Sequence, residues 1–194
     1  ECVKTADENK IIDEFLPEGI IFTERLGHSA DGGYYNFRKQ EISKYTPPLD
    51  LLALKAAEKG IKTLGIGDGG NEVGMGNFFP ELFVLLPEYK QCLCVVKTDT
   101  ALPVDVSNWG CYALTSALSH LWGVWRGHEK DDERKMLDAL VKCGVVDGIS
   151  GKSEASVDGF PIEIQESIRR QIGAVCNKFL YYWLLNKSEI IDGF

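Results

Sequence analysis

The stretch GIGDGGNEVGMGN, residues 65–77, constrains the fold of this 194-residue chain more than any other. It contains six glycines, two carboxylates and two asparagines, and it has no lysine, serine or threonine. Glycine is used where the backbone must turn tightly or approach another group closely. The apolar run KTLGI at 62–66 precedes the stretch, so we expect a buried strand that leads directly into a glycine-rich loop.

The spacing of the glycines resembles a nucleotide-binding turn but lacks its chemistry. Gly65, Gly67 and Gly70 satisfy the G-x-G-x-x-G pattern of dinucleotide-binding proteins. Asp68 lies inside the loop, where its charge would repel a pyrophosphate, and the lysine of a P-loop is absent. A purely structural turn needs fewer glycines than this one has. The pattern therefore favours a small ligand without phosphates, held between backbone groups and acidic side chains.

Strand-like and helix-like segments alternate along the chain. The patterns predict helices at 7–15, 48–60, 109–125, 131–142 and 161–186, and strands at 19–24, 62–66 and 92–97. This alternation predicts an α/β layered fold with a mostly parallel sheet and flanking helices. A length of 194 residues, of which 44% are apolar, is expected to form a single α/β domain over residues 1–194.

Composition argues against several classes of function. The net charge of −8, from 21 basic and 29 acidic residues, disfavours nucleic-acid binding, because the chain would repel phosphates. The most apolar tail segment, FLYYWLL at 179–185, is far shorter than the roughly 20 residues of a membrane helix, so no membrane span is expected. The six cysteines include no C-x-x-C pair, and we expect reduced thiols rather than a zinc knuckle.

Polar loops follow the predicted strands at residues 25–40, 67–77 and 98–108. Ligands of parallel sheets bind at the carboxyl ends of the strands, so these loops are expected to form the site. The candidate site residues are Glu24, Arg25, Asp31, Asn36, Arg38, Asp68, Gly69, Gly70, Asn71, Glu72, Ser107 and Asn108. A divalent metal, bound by Asp31, Asp68 and Glu72, is one use that these carboxylates allow.

The loops together resemble one known family. ERLGHSADGGYYNFRK at 24–39, GIGDGGNEVGMG at 65–76 and VSNWGCYAL at 106–114 have the order and separation found in the catalytic domain of the D-glutamate cyclase family. GISG at 148–151, followed by VDGFP at 157–161, resembles the C-terminal region of that domain. The resemblance covers roughly residues 20–170, which is most of the chain.

Members of this family convert D-glutamate to 5-oxo-D-proline and water, so the resemblance implies a lyase that acts on a small amino acid. Vertebrate members are mitochondrial, which implies the mitochondrial matrix as the location, with the cytoplasm as the alternative. Family domains begin with an upstream acidic segment rich in glycine and proline that has no counterpart here. We therefore expect the chain to be the C-terminal major part of such a domain, acting alone, as a homo-oligomer or in a larger assembly.

The implied reaction needs a base for the substrate ammonium, a group that polarises the distal carboxylate and an anchor for the other carboxylate. Asp68 or Glu72 is predicted to accept the amine proton, while the other acts as an acid or a metal ligand, and Asp31 is the third candidate carboxylate. N–H groups of the glycine loop, including Gly69, Gly70 and Asn71, are candidates for stabilising the oxyanion. Arg25 or Arg38, with Asn36 or the helix start at Ser107 and Asn108, is the candidate anchor for the other carboxylate, and Glu24 is a further candidate for substrate binding.

Two other functions stay open at this point. The chain could be a non-catalytic subunit that uses an enzyme fold as a scaffold in a larger, mitochondrial assembly. Alternatively, it could be a metal- or phosphate-dependent α/β hydrolase or transferase. Binding of D-glutamate separates the enzyme from the scaffold, and release of phosphate with a divalent metal would favour the hydrolase.

Overall fold

The computed structural model describes residues 7–129 and 131–191, with side chains described up to residue 176. The chain divides into two compact units, Glu1–Ser107 and Asn108–Phe194. The interpretation as a single domain over residues 1–194 stays a prediction. No helix in the described part of the chain is long and apolar enough to cross a membrane.

The first unit is built around a three-stranded parallel sheet. Its helices and strands are α1 (Glu8–Phe15), β1 (Gly19–Thr23), α2 (Leu51–Lys59), β2 (Lys62–Gly67), α3 (Phe79–Leu85) and β3 (Thr100–Pro103), with short 3₁₀ turns at Ser43–Tyr45, Met75–Phe78 and Pro87–Tyr89. The strands lie in the order β1-β2-β3 and both pairs are parallel. The predicted α/β fold with a parallel sheet and flanking helices is confirmed.

Register aligns the carboxyl ends of the strands. Thr23 at the end of β1 pairs with Ile66, and Gly67 at the end of β2 pairs with Pro103. The segments that follow β1 and β2 therefore leave the sheet side by side at one edge. This is the edge at which parallel sheets bind ligands.

The core of the first unit joins helices α1 and α2, strand β1, the glycine-rich stretch itself and the segment at 92–97. Its buried members are Ile12, Phe22, Leu52, Ala53, Val73, Met75, Cys94 and Val96. Leu52, Ala53 and Ala56 form the buried face of α2, which ends at Gly60 with φ +69°. This ending confirms Gly60 as the predicted helix terminator, because glycine adopts a left-handed conformation without strain.

The predicted strand at 92–97 is wrong, and the third strand lies instead at Thr100–Pro103, where a loop was expected. Cys92, Leu93, Cys94 and Val96 are buried, but Cys94 forms only an isolated bridge, with Ser29. The Cys94 amide donates to Gly70 O and the Val95 amide donates to His28 O, so this segment pairs with the two site loops rather than with the sheet. A short apolar run predicts burial, but it does not identify the neighbour of the segment.

The second unit contains α4 (Ser107–Trp122), which begins at the unit boundary, α5 (Asp132–Lys142), α6 (Ile162–Ile191) and a two-stranded hairpin, β4 (Ser156–Val157) and β5 (Phe160–Pro161). The helices predicted at 109–125, 131–142 and 161–186 are confirmed as α4, α5 and α6. Arg134 on α5 forms salt bridges with Glu163 and Glu166 on α6. Glu133 is 1% exposed, and its carboxylate contacts His128 Nδ1 at 2.8 Å.

Asp147 organises the turn before the hairpin. Its carboxylate accepts hydrogen bonds from Ile149 N, Ser150 N, Ser156 Oγ and Gly159 N. Burial works to raise the pKa of Asp147, but these donors outweigh it and lower the pKa to about 2. The ionised carboxylate therefore stabilises the turn at neutral pH.

Five cysteines are free thiols in the described residues: Cys92, Cys94, Cys111, Cys143 and Cys176. Cys92 and Cys94 are buried, whereas Cys143 is exposed. Cys2 lies outside the described residues. The expectation of reduced thiols holds for these five cysteines, of which only Cys92 and Cys94 are buried.

Replacement of Gly65 by alanine is expected to destabilise the first unit by at least about 2 kcal/mol. A Cβ on Gly65 would lie 2.3 Å from Val73 O and 2.8 Å from Gly74 Cα, so backbone would have to move. Gly19→Ala is the control, because its Cβ would come no closer than 3.4 Å to Lys62 O. Urea unfolding measures both variants, and equal midpoints would contradict close packing of β2 on the glycine loop.

Replacement of Asp147 by asparagine is expected to lower the free energy of unfolding by about 2 to 4 kcal/mol at pH 7, because a buried charge-assisted network is lost. The folded pKa of about 2 lies below the unfolded value of roughly 3.9. The difference between wild type and variant should therefore be full above about pH 4 and shrink as the pH falls toward 2. Asp138→Asn, at an exposed position on α5, is the control. A difference that is independent of pH would contradict this interpretation.

Candidate active site

Three carboxylates meet at the carboxyl edge of the sheet. Glu24 follows β1 directly, Asp68 follows β2 directly, and Glu72 lies four residues further along the glycine loop. One carboxylate oxygen from each residue lies within 4.8 Å of the other two. We call Glu24, Asp68 and Glu72 the carboxylate cluster.

Backbone pairing brings the two loops of the cluster together. The Glu24 amide donates to Ile66 O, and Glu24 then takes a φ of +52°, which turns the chain away from β1. Leu26 forms an antiparallel bridge with Glu72, and the Val73 amide donates to Arg25 O at 2.8 Å. The loop after β1 is thereby paired with the glycine loop at Glu72 and Val73.

Glu72 is the buried member of the cluster. The residue is 3% exposed, and its Oε1 accepts a hydrogen bond of 3.0 Å from the Gly69 amide. Its Oε2 has no hydrogen-bond partner among the residues that the structure describes. A Cβ on Gly67 would lie 2.7 Å from this Oε2, and a Cβ on Gly69 would lie 2.9 Å from Oε1. These glycines therefore provide the space that the Glu72 carboxylate occupies.

Asp68 is more accessible and is held by the start of a helix. Its Oδ2 accepts a hydrogen bond of 2.8 Å from the amide of Ser107, the first residue of α4. The first N–H groups of a helix lack partners within the helix and carry partial positive charge, so they favour an anion. This bond fixes the orientation of the Asp68 carboxylate.

Burial, with a contribution from neighbouring negative charge, raises the pKa values of two members of the cluster. Partial burial raises the pKa of Glu24 to about 8, and the charges of Asp68 and Glu72 add to this shift, although the Ser107 hydroxyl opposes it. Burial also raises the pKa of Glu72, with a further contribution from the charge of Asp68. Carboxylates with raised pKa values favour either a bound proton or a nearby cation. Such a site can exchange protons with a substrate or bind a positive group.

The structure does not bring Asp31 into the carboxylate cluster. Its carboxylate accepts hydrogen bonds from Ser29 Oγ, Gly33 N and the Tyr35 hydroxyl within its own loop. The Ser29 and Tyr35 hydroxyls are the largest causes that lower the pKa of Asp31 to about 2. Asp31 thus shapes the loop after β1, and Glu24 occupies the position in the cluster that was predicted for Asp31.

Three candidate anchors after β1 make contacts within their own loop or with the adjoining segment. Asn36 accepts hydrogen bonds from the amides of Arg38 and Gln40. The Arg38 guanidinium lies over the Phe37 ring, 5.1 Å from its centroid. Arg25 donates from its guanidinium to Pro47 O. None of the three forms a salt bridge with the cluster within the described residues.

The three residues predicted as backbone donors, Gly69, Gly70 and Asn71, make contacts within the glycine loop and with the segments beside it. The Gly69 amide binds Glu72, and Gly70 takes a φ of +85° and accepts from the Cys94 amide. Asn71 is 7% exposed and its Nδ2 donates to Tyr35 O at 2.7 Å. Asn71 therefore joins the two loops. Asn108 belongs to the second unit, where it lies beside the Tyr112 hydroxyl.

A buried carboxylate that the sequence did not single out supports the loop after β1. Asp50 is fully buried and accepts hydrogen bonds from the His28 amide at 3.0 Å and from the Tyr34 hydroxyl at 2.5 Å. The same Oδ2 that accepts from the His28 amide also contacts His28 Nδ1 at 2.7 Å. An aspartate before a helix is common as a cap, so no sequence signal distinguished this role.

Comparison with known proteins identifies the family of the chain. A family model described as "D-glutamate cyclase-like, C-terminal" matches residues 2–172. The chain is also similar to a human protein named "D-glutamate cyclase, mitochondrial", with 36% identity over 166 residues that represent 73% of this chain. The alignment spans only 27% of the length of that human protein. The matched residues include Glu24, Asp68 and Glu72. The chain belongs to the D-glutamate cyclase-like family and corresponds to the C-terminal region that this family model describes.

Proposed function

We propose that this chain carries the catalytic carboxylates of a D-glutamate cyclase-like lyase, which converts D-glutamate to 5-oxo-D-proline and water. The observation that carries the proposal is the cluster of Glu24, Asp68 and Glu72 at the carboxyl edge of the parallel sheet. Membership of the D-glutamate cyclase-like family and the name of the human relative support the choice of substrate.

The reaction is a proton transfer coupled to ring closure. The amine nitrogen forms a bond with the distal carboxyl carbon, and a C–O bond of that carboxyl breaks. The ammonium loses two protons on the way to the lactam, and the departing oxygen gains two protons to leave as water. The site therefore has to move protons from nitrogen to oxygen over a short distance, which a group of adjacent carboxylates can do.

Asp68 is the best-placed base in this scheme. It is the accessible carboxylate of the glycine loop, and the Ser107 amide holds one of its oxygens. Glu72 is buried beside it and polarises the distal carboxyl, as an acid or through a bound metal. Since both reacting groups belong to one substrate molecule, holding the folded conformer supplies much of the rate.

Arg25 is the proposed anchor of the α-carboxylate. It directly follows Glu24, and a guanidinium has enough donors to keep its contact with Pro47 O while binding a carboxylate. The side chains of Asn36 and Arg38 contact residues of the loop after β1 and not the carboxylate cluster. Their assignment as anchors stays a prediction. We also propose a mitochondrial location, on the basis of the name of the human relative.

Incubation of this chain with D-glutamate is expected to produce 5-oxoproline, whereas L-glutamate should produce much less. Chiral chromatography of the product over time measures both reactions, and the spontaneous rate without protein is the control. Calorimetric binding of D-glutamate without any 5-oxoproline would favour a non-catalytic subunit. Absence of both binding and turnover would contradict the proposed function for this chain.

Asp68→Asn and Glu72→Gln are each expected to lower kcat by about 10²- to 10⁴-fold, the typical contribution of acid–base groups. Glu81→Gln is the matched control, because Glu81 is an exposed carboxylate on α3 outside the cluster. Circular dichroism establishes that each variant is folded. Turnover near the wild-type rate in both Asp68→Asn and Glu72→Gln would overturn the assigned roles.

A further inference from the structure

We propose that Glu24, Asp68 and Glu72 form a binding site for one hard divalent cation of the Mg²⁺ or Mn²⁺ type. The binding site stands on the geometry of the cluster alone, and its role in ring closure rests on the proposed function. The set differs from the metal ligands predicted from sequence, because Glu24 replaces Asp31.

The spacing of the three oxygens suits a cation of this size. One oxygen from each carboxylate lies within 4.8 Å of the other two. Oxygens that share a six-coordinate Mg²⁺ lie about 3.0 to 4.2 Å apart, given ligand distances near 2.1 Å. The exposed Glu24 side chain would move inward to complete this spacing when a cation binds. The remaining coordination positions would be filled by water and substrate, as is usual for Mg²⁺.

Glu72 supplies an independent sign that a positive group belongs here. The residue is 3% exposed, and its Oε2 has no hydrogen-bond partner in the part of the chain that the structure describes. A buried anionic oxygen is costly unless it is hydrogen-bonded, paired or bound to a metal. None of the three carboxylates forms a salt bridge with a described lysine, arginine or histidine. A bound cation would satisfy the unpartnered oxygen.

The donor set selects the class of cation. All three ligands are carboxylates, and the cluster contains no histidine and no cysteine. Oxygen ligands suit Mg²⁺, Mn²⁺ and Ca²⁺, whereas nitrogen and sulfur ligands select zinc and copper. With only three protein carboxylates, the site resembles the partly hydrated Mg²⁺ sites in which substrate completes the coordination.

The ligands are held in position by backbone groups. The Gly69 amide binds Glu72 Oε1 and leaves Oε2 for the cation, while the Ser107 amide binds Asp68 Oδ2. The lack of a side chain at Gly67 lets Oε2 lie against the backbone of the loop, since a Cβ there would be 2.7 Å away. Partners of this kind orient metal ligands and raise the affinity of the site.

The negative charge of the substrate favours a divalent cation, rather than the substrate ammonium alone, as the positive group at the cluster. For ring closure, the distal carboxylate of glutamate must approach its own amine, and hence the cluster. Three protein carboxylates would repel that fourth one. A divalent cation held by Glu24, Asp68 and Glu72 would supply positive charge for the substrate carboxylate and would make its carbon a better electrophile.

Direct titration with Mn²⁺ tests the site without any requirement for turnover. The loss of the electron paramagnetic resonance signal of free Mn²⁺ measures binding to the whole chain in the absence of glutamate. We expect one site, with Mn²⁺ affinity reduced at least about tenfold in Glu72→Gln and in Glu24→Gln. Glu81→Gln should bind as the wild type does. If Glu72→Gln does not fold, Glu24→Gln at the accessible edge of the cluster carries the test.

The outcomes separate this inference from the proposed function. No Mn²⁺ binding by the wild type, or binding that survives in both cluster variants, overturns the cation site even if D-glutamate is cyclised. Binding that is lost in the cluster variants supports the site even if no 5-oxoproline forms, and the proposed function then fails alone. If both hold, EDTA should abolish cyclisation and added Mn²⁺ should restore it.

Discussion

The site depends on the burial of one carboxylate, that of Glu72, in a loop of nearly bare backbone. Burying an anion is unfavourable unless the fold supplies partners. Here the Gly69 amide supplies one partner, and the second oxygen has none among the described residues. Glu24 and Asp68 add negative charge beside it, so the cluster favours protons or a cation. An enzyme that moves protons between an amine and a carboxyl can use that preference directly.

The glycines of this loop make space for the buried Glu72 carboxylate more than for a ligand. The sequence suggested that bare backbone lets a small substrate approach closely. In the structure, Gly67 and Gly69 make room for the Glu72 carboxylate, and Gly65 makes room for the backbone of Val73. The missing lysine and threonine of a phosphate loop fit the same arrangement, because a loop that holds its own carboxylates would repel phosphate.

Most helices and the first two strands were predictable from the sequence, whereas α3 and the third strand were not. Helices α1, α2, α4, α5 and α6 and strands β1 and β2 have clear periodicity or clear ends such as Gly60. The apolar run at 92–97 is as buried as a strand, but it pairs with the site loops, and apolar periodicity alone does not identify a pairing partner. Asp68 and Glu72 stood out among the glycines, while the local hydroxyls that engage Asp31 were visible only in three dimensions. Likewise, nothing in the sequence set Asp50 apart from an ordinary helix cap.

We place the reacting nitrogen of the substrate at the carboxylate cluster. A crystal structure of the Asp68→Asn variant soaked with D-glutamate tests this placement most directly. We predict that the amine lies within about 3 Å of a cluster carboxylate, with the distal carboxylate folded back toward it. Glutamate bound away from Glu24 and Glu72, or bound in an extended conformation, would contradict the account.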